Sequence, residues 1–337
     1  MLIITDSNPK INQWRTHKLE NLRVLKHFRI AAIGNPMLRG RYERMRDCGN
    51  FIQYTVDPEG KYHYTGAWLC KDRLCPICSW RLSVKRTAEM VKVLNKLHEE
   101  KPRTHAIHVV LTIRNCTAEE LRPVLCQLTE GFTRLKKRQL WNDYILGYAR
   151  SVEVTYNKES DTYHPHIHVI AIVPNAYTRQ ISIGDWVDMW RDSIRVNYNP
   201  IVWANQTYYK GDKSINLEYD FDQKDTNNDA AKAAIIEACK YAVKPESIQS
   251  AAEAGDISTL ATALNGLRLV SFGGILKKIR KDLKLSGSDK PNEQLQKTTI
   301  DPAEGINAYT LLYEWCSRTR SYIQTVPTNS DNRPNVL

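Results

Sequence analysis

Three histidines, His164, His166 and His168, alternate along a segment that continues as the apolar run 169–173. The β-branched residues of this run predict a strand, and a strand directs alternate side chains to the same face. All three imidazoles are therefore expected on one face, where their neutral nitrogens can bind a divalent metal ion. The alternative is a polar strand face with incidental histidines. Because three of the nine histidines of the chain fall within five residues, the pattern favours the metal site.

A second set of reactive groups lies on a helix that we predict over residues 229–244, just before a proline. Residues three and four apart share one face of a helix. Glu237, Tyr241 and Lys244 therefore form one stripe that carries a carboxylate, a phenol and an ammonium group, with Lys240 beside it. The alternative is an ordinary solvated helix face with one packed tyrosine.

A cysteine-rich segment precedes both patterns. Cys75 and Cys78 form a Cys-X-X-Cys pair, Cys70 lies five residues before Cys75, and Cys48 lies further upstream. Four thiolates would form a tetrahedral structural zinc site that is closed to substrate. His63 competes with Cys48 for the place of the fourth ligand. A redox pair is the other interpretation, but the strand-to-helix context of thioredoxin-like motifs is missing.

In combination these patterns resemble the HUH endonuclease superfamily, and within it the single-tyrosine initiators of rolling-circle plasmid replication. That family has a Leu-Thr-X-X-Asn strand, a His-hydrophobic-His strand and a Tyr-X-X-Lys helix in this order, and one of its branches adds an upstream cysteine-rich segment. The matching segments are Leu111–Asn115, His166–His168, Tyr241–Lys244 and Cys70–Arg81. One departure is Ile113, which stands where the family often repeats Leu-Thr, and we expect it to affect packing.

The resemblance implies an α+β fold, with a central antiparallel β-sheet flanked by helices and a zinc-ribbon-like insertion. The order of predicted strands, hairpins and helices indicates the same class. We expect four parts: a basic N-terminal helical segment (1–44), a zinc-binding segment (45–80), an HUH nicking and DNA-binding domain (81–285), and a polar linker with a C-terminal helix near 304–320 (286–337).

The implied activity is sequence- and strand-specific nicking of DNA at the double-strand origin. Attack by Tyr241 would leave a 5′-phosphotyrosine and a free 3′-hydroxyl primer, and later steps would terminate the round and rejoin the strand. Tyr208 and Tyr209 lack the helix pattern, and Tyr163 is expected on the face opposite the histidines. Lys244 would stabilise negative charge on the phenolate or the phosphate.

The metal site needs a third ligand besides His166 and His168. His164 lies on the same face, and Glu153 lies on the neighbouring strand of a predicted hairpin. We prefer Glu153, because an adjacent strand commonly supplies an acidic ligand in this superfamily, and a carboxylate oxygen suits Mn²⁺ or Mg²⁺. Glu237 is expected to act as general base for a terminating hydrolysis; its alternative is a salt bridge with a neighbouring lysine.

Charge and composition agree with a nucleic-acid partner. The chain has 48 lysines and arginines against 37 acidic residues, a net charge of +11. We expect contacts with the single-stranded or supercoiled plasmid origin, and with a host helicase and DNA polymerase. No signal peptide or membrane-spanning run is predicted, which indicates a cytoplasmic protein and zinc-bound or reduced cysteines. The expected DNA-binding residues are Arg81, Lys85, Lys240, Lys277 and Lys278.

Two other functional classes share these features. One is an HUH transposase or relaxase, which would use the same chemistry on different DNA. The other is a non-catalytic, zinc-containing DNA-binding regulator with a structural histidine strand. The regulator accounts for the charge and the cysteines but leaves the Tyr-X-X-Lys helix unexplained.

Overall fold

The computed structural model describes residues 3–4, 8–177, 181–207, 243, 245–285 and 309–325. Its strands are β1 (Ile3–Ile4), β2 (Phe51–Val56), β3 (Tyr62–Ala67), β4 (Thr104–Thr112), β5 (Gly147–Asn157), β6 (Thr162–Pro174), β7 (Val202–Thr207), β8 (Val270–Gly273), β9 (Tyr309–Cys316) and β10 (Ser321–Thr325). Its helices are α1 (Pro9–Ala31), α2 (Pro36–Arg46), α3 (Pro76–Glu100), α4 (Leu121–Leu135), α5 (Gln139–Tyr144), α6 (Ile183–Ile194), α7 (Pro245–Glu253), α8 (Ile257–Ala263) and α9 (Gly274–Asp282).

The central sheet has the strand order β7-β4-β6-β5-β8, and neighbouring strands are antiparallel. Its middle strand β6 is buried without interruption over residues 165–173. Such a continuous buried run requires cover on both faces of the sheet. On one face, Ile170 and Ile172 pack against Met90 of α3 and Leu276 of α9. Helices α4 and α6 cover the opposite face. The expected α+β fold, with an antiparallel sheet between helices, is confirmed.

The second sheet has the order β1-β10-β9-β2-β3 and joins the two ends of the described chain. The helix expected near 304–320 is wrong, because residues 309–316 form strand β9. Leu311, Tyr313 and Trp315 are buried, whereas Thr310 and Glu314 are exposed. This alternation has the two-residue period of a half-buried strand. β9 pairs with β2, so the C-terminal strands complete a sheet begun by the cysteine-rich segment.

Helix α3 connects the two sheets. A proline occupies its first turn, where no backbone donor is lost. Its N-terminal part carries Cys78 and the buried Trp80, which meets Trp14 of α1 edge to face. Its C-terminal part packs on the central sheet. There, Glu89 accepts a hydrogen bond of 3.1 Å from Arg280 of α9, and both side chains are buried. Within the described ranges no helix combines the length and apolarity needed to cross a membrane.

Two helical glycines allow a test of packing on the face covered by α4 and α6. A Cβ added to Gly131 of α4 would lie 2.5 Å from Ile194 Cγ2 of α6, whereas one added to Gly40 of α2 meets its nearest neighbour, Arg44 Nη1, at 3.6 Å. We expect Gly131→Ala to lower the free energy of unfolding by about 1–3 kcal/mol. Gly40→Ala should raise it by about 0.5–1 kcal/mol through helix propensity.

Urea unfolding followed by circular dichroism measures both changes. Equal stabilisation by the two alanines would contradict the close approach of α4 and α6.

Candidate metal centre on the central sheet

The register of the β5–β6 hairpin brings a carboxylate to the histidine face. Glu153 pairs directly with His166, and the adjacent pairs are Ser151 with His168 and Thr155 with His164. Directly paired residues of antiparallel strands project to the same face. The three imidazoles therefore share one face, as predicted, and Glu153 projects from the neighbouring strand into the same cluster.

Three ligand atoms converge in this cluster. His168 Nε2 lies 3.1 Å from Glu153 Oε2 and 3.1 Å from His166 Nε2, and His166 Nε2 lies 3.6 Å from Glu153 Oε2. All three side chains are buried. The potential ligand atoms lie within 4.8 Å of one another. Two imidazole nitrogens and one carboxylate oxygen are a donor set that suits a first-row divalent ion or Mg²⁺.

The outer hydrogen bonds of the two imidazoles fit metal binding. His166 Nδ1 lies 3.2 Å from the carbonyl oxygen of His164, which can only accept, so Nδ1 donates and Nε2 keeps its lone pair. His168 Nδ1 lies 3.1 Å from His108 Nε2. When His168 donates in this contact, its Nε2 also presents a lone pair to the cluster. Two lone pairs and a carboxylate oxygen then face one another, an arrangement that a cation stabilises.

His108 of β4 was not among the residues predicted from sequence. It is buried, and its ring stacks on His168 with centroids 5.3 Å apart. A ring contact and a hydrogen bond to the same imidazole fix the orientation of His168, as outer-shell partners commonly do for metal ligands. The available signal was a histidine inside the apolar strand Ala106-Ile107-His108-Val109, on the same face as the other histidines.

His164 lies outside the three-residue cluster. Its Nδ1 is 2.8 Å from Asn115 Oδ1, and the Asn115 amide donates to Thr162. Burial, and then the charge of His166, lower the pKa of the His164 imidazole. His164 also lines a groove of about 630 Å³ together with Thr155 and other hairpin residues. Of the two candidates for the third ligand, Glu153 is therefore the one that the hairpin brings to His166 and His168.

The four predicted zinc ligands also converge. Cys48 Sγ lies 3.5 Å from both Cys75 Sγ and Cys78 Sγ, and Cys70 Sγ lies 3.6 Å from Cys78 Sγ. A Zn–S bond of about 2.3 Å in a tetrahedron implies sulfur separations of about 3.8 Å. The cluster therefore fits zinc. His63 instead contacts Asp57 Oδ2 at 2.7 Å, which leaves Cys48 as the fourth member.

A buried lysine lies beside the cysteine cluster. Lys18 Nζ donates to the carbonyl oxygen of Cys48 at 2.6 Å and to Asn50 Oδ1 at 2.8 Å. Burial lowers the pKa of Lys18, whereas the neighbouring thiols act in the opposite direction. Four thiolates around one zinc ion carry a net charge of −2, so a lysine held at this place offsets part of the buried negative charge.

The predicted DNA-binding residues occupy different surroundings. The Arg81 guanidinium lies 4.0 Å from the centroid of Tyr64 and also covers Trp14 and Trp80, so it is engaged by aromatic rings. Lys85 Nζ lies 3.8 Å from Glu89 Oε1. It is therefore close to the ion pair between Glu89 and Arg280. Among the predicted DNA-binding residues that the structure describes, Lys277 and Lys278 on α9 are the exposed ones.

Glu237, Lys240, Tyr241 and Lys244 of the predicted tyrosine helix lie outside the described residues. The prediction that this helix reaches residue 244 and stops at Pro245 is wrong at its end, because Val243 pairs as an extended residue and Pro245 begins α7. Val243 is described; it is buried and forms a parallel bridge with Val154, the neighbour of Glu153. Tyr163, the competing tyrosine, lies buried on the opposite face, as expected, and donates to Asp256 at 2.9 Å.

Comparison with known proteins supports the resemblance. The family model described as Rep_1, Replication protein, matches residues 61–323. A "Protein rep" of Streptococcus pneumoniae is 30% identical over 332 residues, which cover 95% of each chain. A "Protein rep" of Bacillus amyloliquefaciens is 32% identical over 330 residues, which cover 93% of this chain and 94% of the relative.

No solved structure gives a significant match. The family match covers most of the chain, including both metal-ligand clusters except Cys48, and it confirms the resemblance to plasmid replication initiators. The chain therefore belongs to the Rep_1 family of replication proteins.

Proposed function

We propose that this replication protein starts rolling-circle replication by nicking one strand of a plasmid origin in a metal-dependent reaction. The observation that carries the proposal is the buried cluster of Glu153, His166 and His168 on the central sheet. A regulator that only binds DNA has no need of three converging ligand atoms. Because the net charge is +11, the long-range electrostatic attraction between the chain and the polyanionic origin is favourable.

Tyr241 is the proposed nucleophile. It precedes Val243 by two positions, a stretch of chain that spans at most about 7 Å, and Val243 forms a bridge with Val154, the neighbour of Glu153. The hairpin tyrosines are poor alternatives. Burial and the hydrogen bond to Asp256 raise the pKa of Tyr163 well above its usual value. The hydrogen bond to Asp161 raises the pKa of Tyr156 to about 12.

In the proposed step, the phenolate oxygen of Tyr241 forms a bond to phosphorus and the bond from phosphorus to the 3′ oxygen breaks. The products are a 5′-phosphotyrosine and a 3′-alkoxide, which takes up a proton and becomes the primer for DNA polymerase. A divalent ion held by Glu153, His166 and His168 would polarise the phosphate as a Lewis acid. Attack by a 3′-hydroxyl on the tyrosyl ester reverses the step and rejoins DNA.

Lys244 and Glu237 have supporting roles in this proposal. Lys244 would offset negative charge on the phenolate and phosphate. Glu237 would take a proton from water, so that hydrolysis can end a round in a chain with one reactive tyrosine. A host helicase would extend the unwound region. We assign these steps to residues 81–285, which contain the central sheet.

We further propose that Cys48, Cys70, Cys75 and Cys78 hold structural zinc. Cys48 follows α2, Cys70 lies in the loop after β3, and Cys75 and Cys78 lie at the start of α3, so one ion would tie these three segments together. Such a closed site stabilises the fold and leaves no position for substrate.

Replacing Tyr241 with phenylalanine should abolish covalent adduct formation, because the attacking oxygen is removed. The assay combines the purified protein, Mn²⁺ and circular single-stranded DNA that carries candidate plasmid origins, and adducts are resolved on a denaturing gel. Tyr163→Phe is the matched control and should keep the adduct. Adduct formation by Tyr241→Phe would refute the assigned nucleophile, and wild-type protein that binds tightly without forming an adduct would favour the non-catalytic regulator.

Replacing His108 with alanine should weaken Mn²⁺ binding about 10- to 100-fold, because His168 loses the contact that orients it. Isothermal titration calorimetry measures the affinity. His105→Ala is a matched control on the same strand, since His105 lies on the opposite face and contacts Asn175. Equal affinities for wild type and His108→Ala would show that His168 is oriented without His108.

Replacing Cys78 with serine should remove bound zinc and lower the melting temperature, because metal binding contributes directly to folding free energy. Metal content is measured by mass spectrometry and stability by thermal unfolding. Cys126→Ser is the control, since Cys126 lies on α4 outside the cluster. Full zinc content in Cys78→Ser would contradict a site made of these four cysteines.

A further inference from the structure

A half-exposed tryptophan lies on the same face of the central sheet as the metal cluster. Trp203 of β7 is 48% exposed, although large aromatic side chains usually contribute most of their area to a core or an interface. β7 forms an outer edge of the described central sheet. The location beside the ligand cluster suggests that the exposed ring has a binding role.

The strand register places Trp203 in one row with a metal ligand. Trp203 pairs with Val110 of β4, and Val110 pairs with His168 of β6. Two strand spacings therefore separate the backbones of Trp203 and His168, about 10 Å. His108 fills the space between the two rings: it stacks on His168 and meets Trp203 edge to face, with centroids 5.4 Å apart.

An oriented cation lies just beyond the end of β4. Arg114 is exposed, and its guanidinium lies 3.8 Å from the ring centroid of Tyr198. Its backbone N–H donates to the Tyr198 hydroxyl at 3.0 Å, so both ends of the residue are held. Arg114 follows Thr112, which pairs with His166. An aromatic face and a guanidinium thus lie on the β4 and β7 side of the metal cluster.

These groups match the chemistry of a single-stranded nucleic acid. Every unpaired base has a π-face that stacks on an aromatic ring, and the phosphates beside it attract guanidinium groups. A duplex keeps its bases stacked on one another and offers no such face. The groove lined by His164 lies at the hairpin end of the cluster, one same-face pair of residues beyond Glu153 and His166. A strand leaving this groove along the sheet would pass over the ligands to the row that contains His168 and Trp203.

We propose that Trp203 is a stacking platform for an unpaired base next to the phosphate that is cleaved. This inference rests on the proposed nicking function and adds to it a residue that positions the single-stranded substrate. The bound base would hold one flank of the scissile phosphate over Glu153, His166 and His168.

The experiment measures binding of two fluorescein-labelled probes by anisotropy in EDTA: a thymidine 12-mer, and a 12-mer of the same charge made of abasic sites. The proteins are full-length wild type, Trp203→Ala, Trp203→Phe and the control Trp68→Ala, which removes a tryptophan that is 39% exposed and directly follows β3 of the second sheet. Trp203→Ala should bind the thymidine probe about tenfold more weakly than wild type. Trp203→Phe should lose less, and Trp68→Ala should match wild type. On the abasic probe all four proteins should bind alike.

Two results would overturn the inference: unchanged thymidine binding by Trp203→Ala, or an equal loss on both probes, which would indicate lost charge contacts or lost folding. Melting temperature and Mn²⁺ affinity identify a folding defect. If Trp203→Ala is unfolded, the Trp203→Phe variant decides the matter. Binding of the thymidine probe by Trp203→Phe at the wild-type level would then leave Trp203 only a structural role. Failure of the nicking function is distinguishable. If the wild-type protein forms no covalent adduct, but Trp203→Ala loses affinity for the thymidine probe alone, the stacking site is supported and the nickase proposal fails.

Discussion

The direct pairing of Glu153 with His166 across the β5–β6 hairpin is the constraint on which the metal-binding face depends. Side chains alternate along a strand, so a slip of one residue would move Glu153 to the opposite face. That face is apolar at this point, because Val152, Val154 and Ile167 are fully buried there. A slip would therefore bury a carboxylate among aliphatic side chains, at a cost of several kcal/mol. The apolar layer thus fixes the register that assembles the ligand cluster.

The two ligand clusters are parts of one framework through helix α3. The first turn of α3 carries Cys78, and its later turns cover Ile170 and Ile172 of the strand that carries the histidines. The buried contact between Glu89 and Arg280 holds α9 against the same helix. A buried ion pair contributes little net stability, but separating its partners leaves an uncompensated buried charge. The pair therefore favours one arrangement of these two helices. Loss of the ion proposed for the cysteine cluster would act first on the N-terminal end of α3.

Sequence patterns predicted the parts that depend on local spacing. The two-residue period identified the histidine strand, the Cys-X-X-Cys spacing identified the cysteine cluster, and the neighbouring strand of the hairpin indicated Glu153. The predicted C-terminal helix is instead strand β9. Its alternation of apolar and polar residues is short and follows a polar segment, so the sequence pattern did not distinguish the strand from a helix. His108 and Trp203 belong to strands distant in sequence from the histidines, and only the register of β7, β4 and β6 brings their side chains into one row. The sequence around a lone histidine or tryptophan does not predict which residue of a distant strand will lie beside it.

In the proposed mechanism the sheet carries the metal ligands and a separate predicted helix carries the tyrosine, an arrangement that suits a reversible reaction. In the proposed reaction, cleavage would replace one phosphodiester by another, so the energy of the bond would be conserved and the return step would need the same charge stabilisation as the forward step. Ligands on buried neighbouring strands keep that stabilisation in place throughout. The reverse step also requires that the 3′ end stays close to the tyrosyl ester. Base stacking at Trp203 would retain one flank of the cleaved strand without a covalent bond, at a strength that a helicase or polymerase can overcome. A rigid face with the proposed metal site and a separate, weak hold on the unpaired strand would therefore allow both rejoining and release.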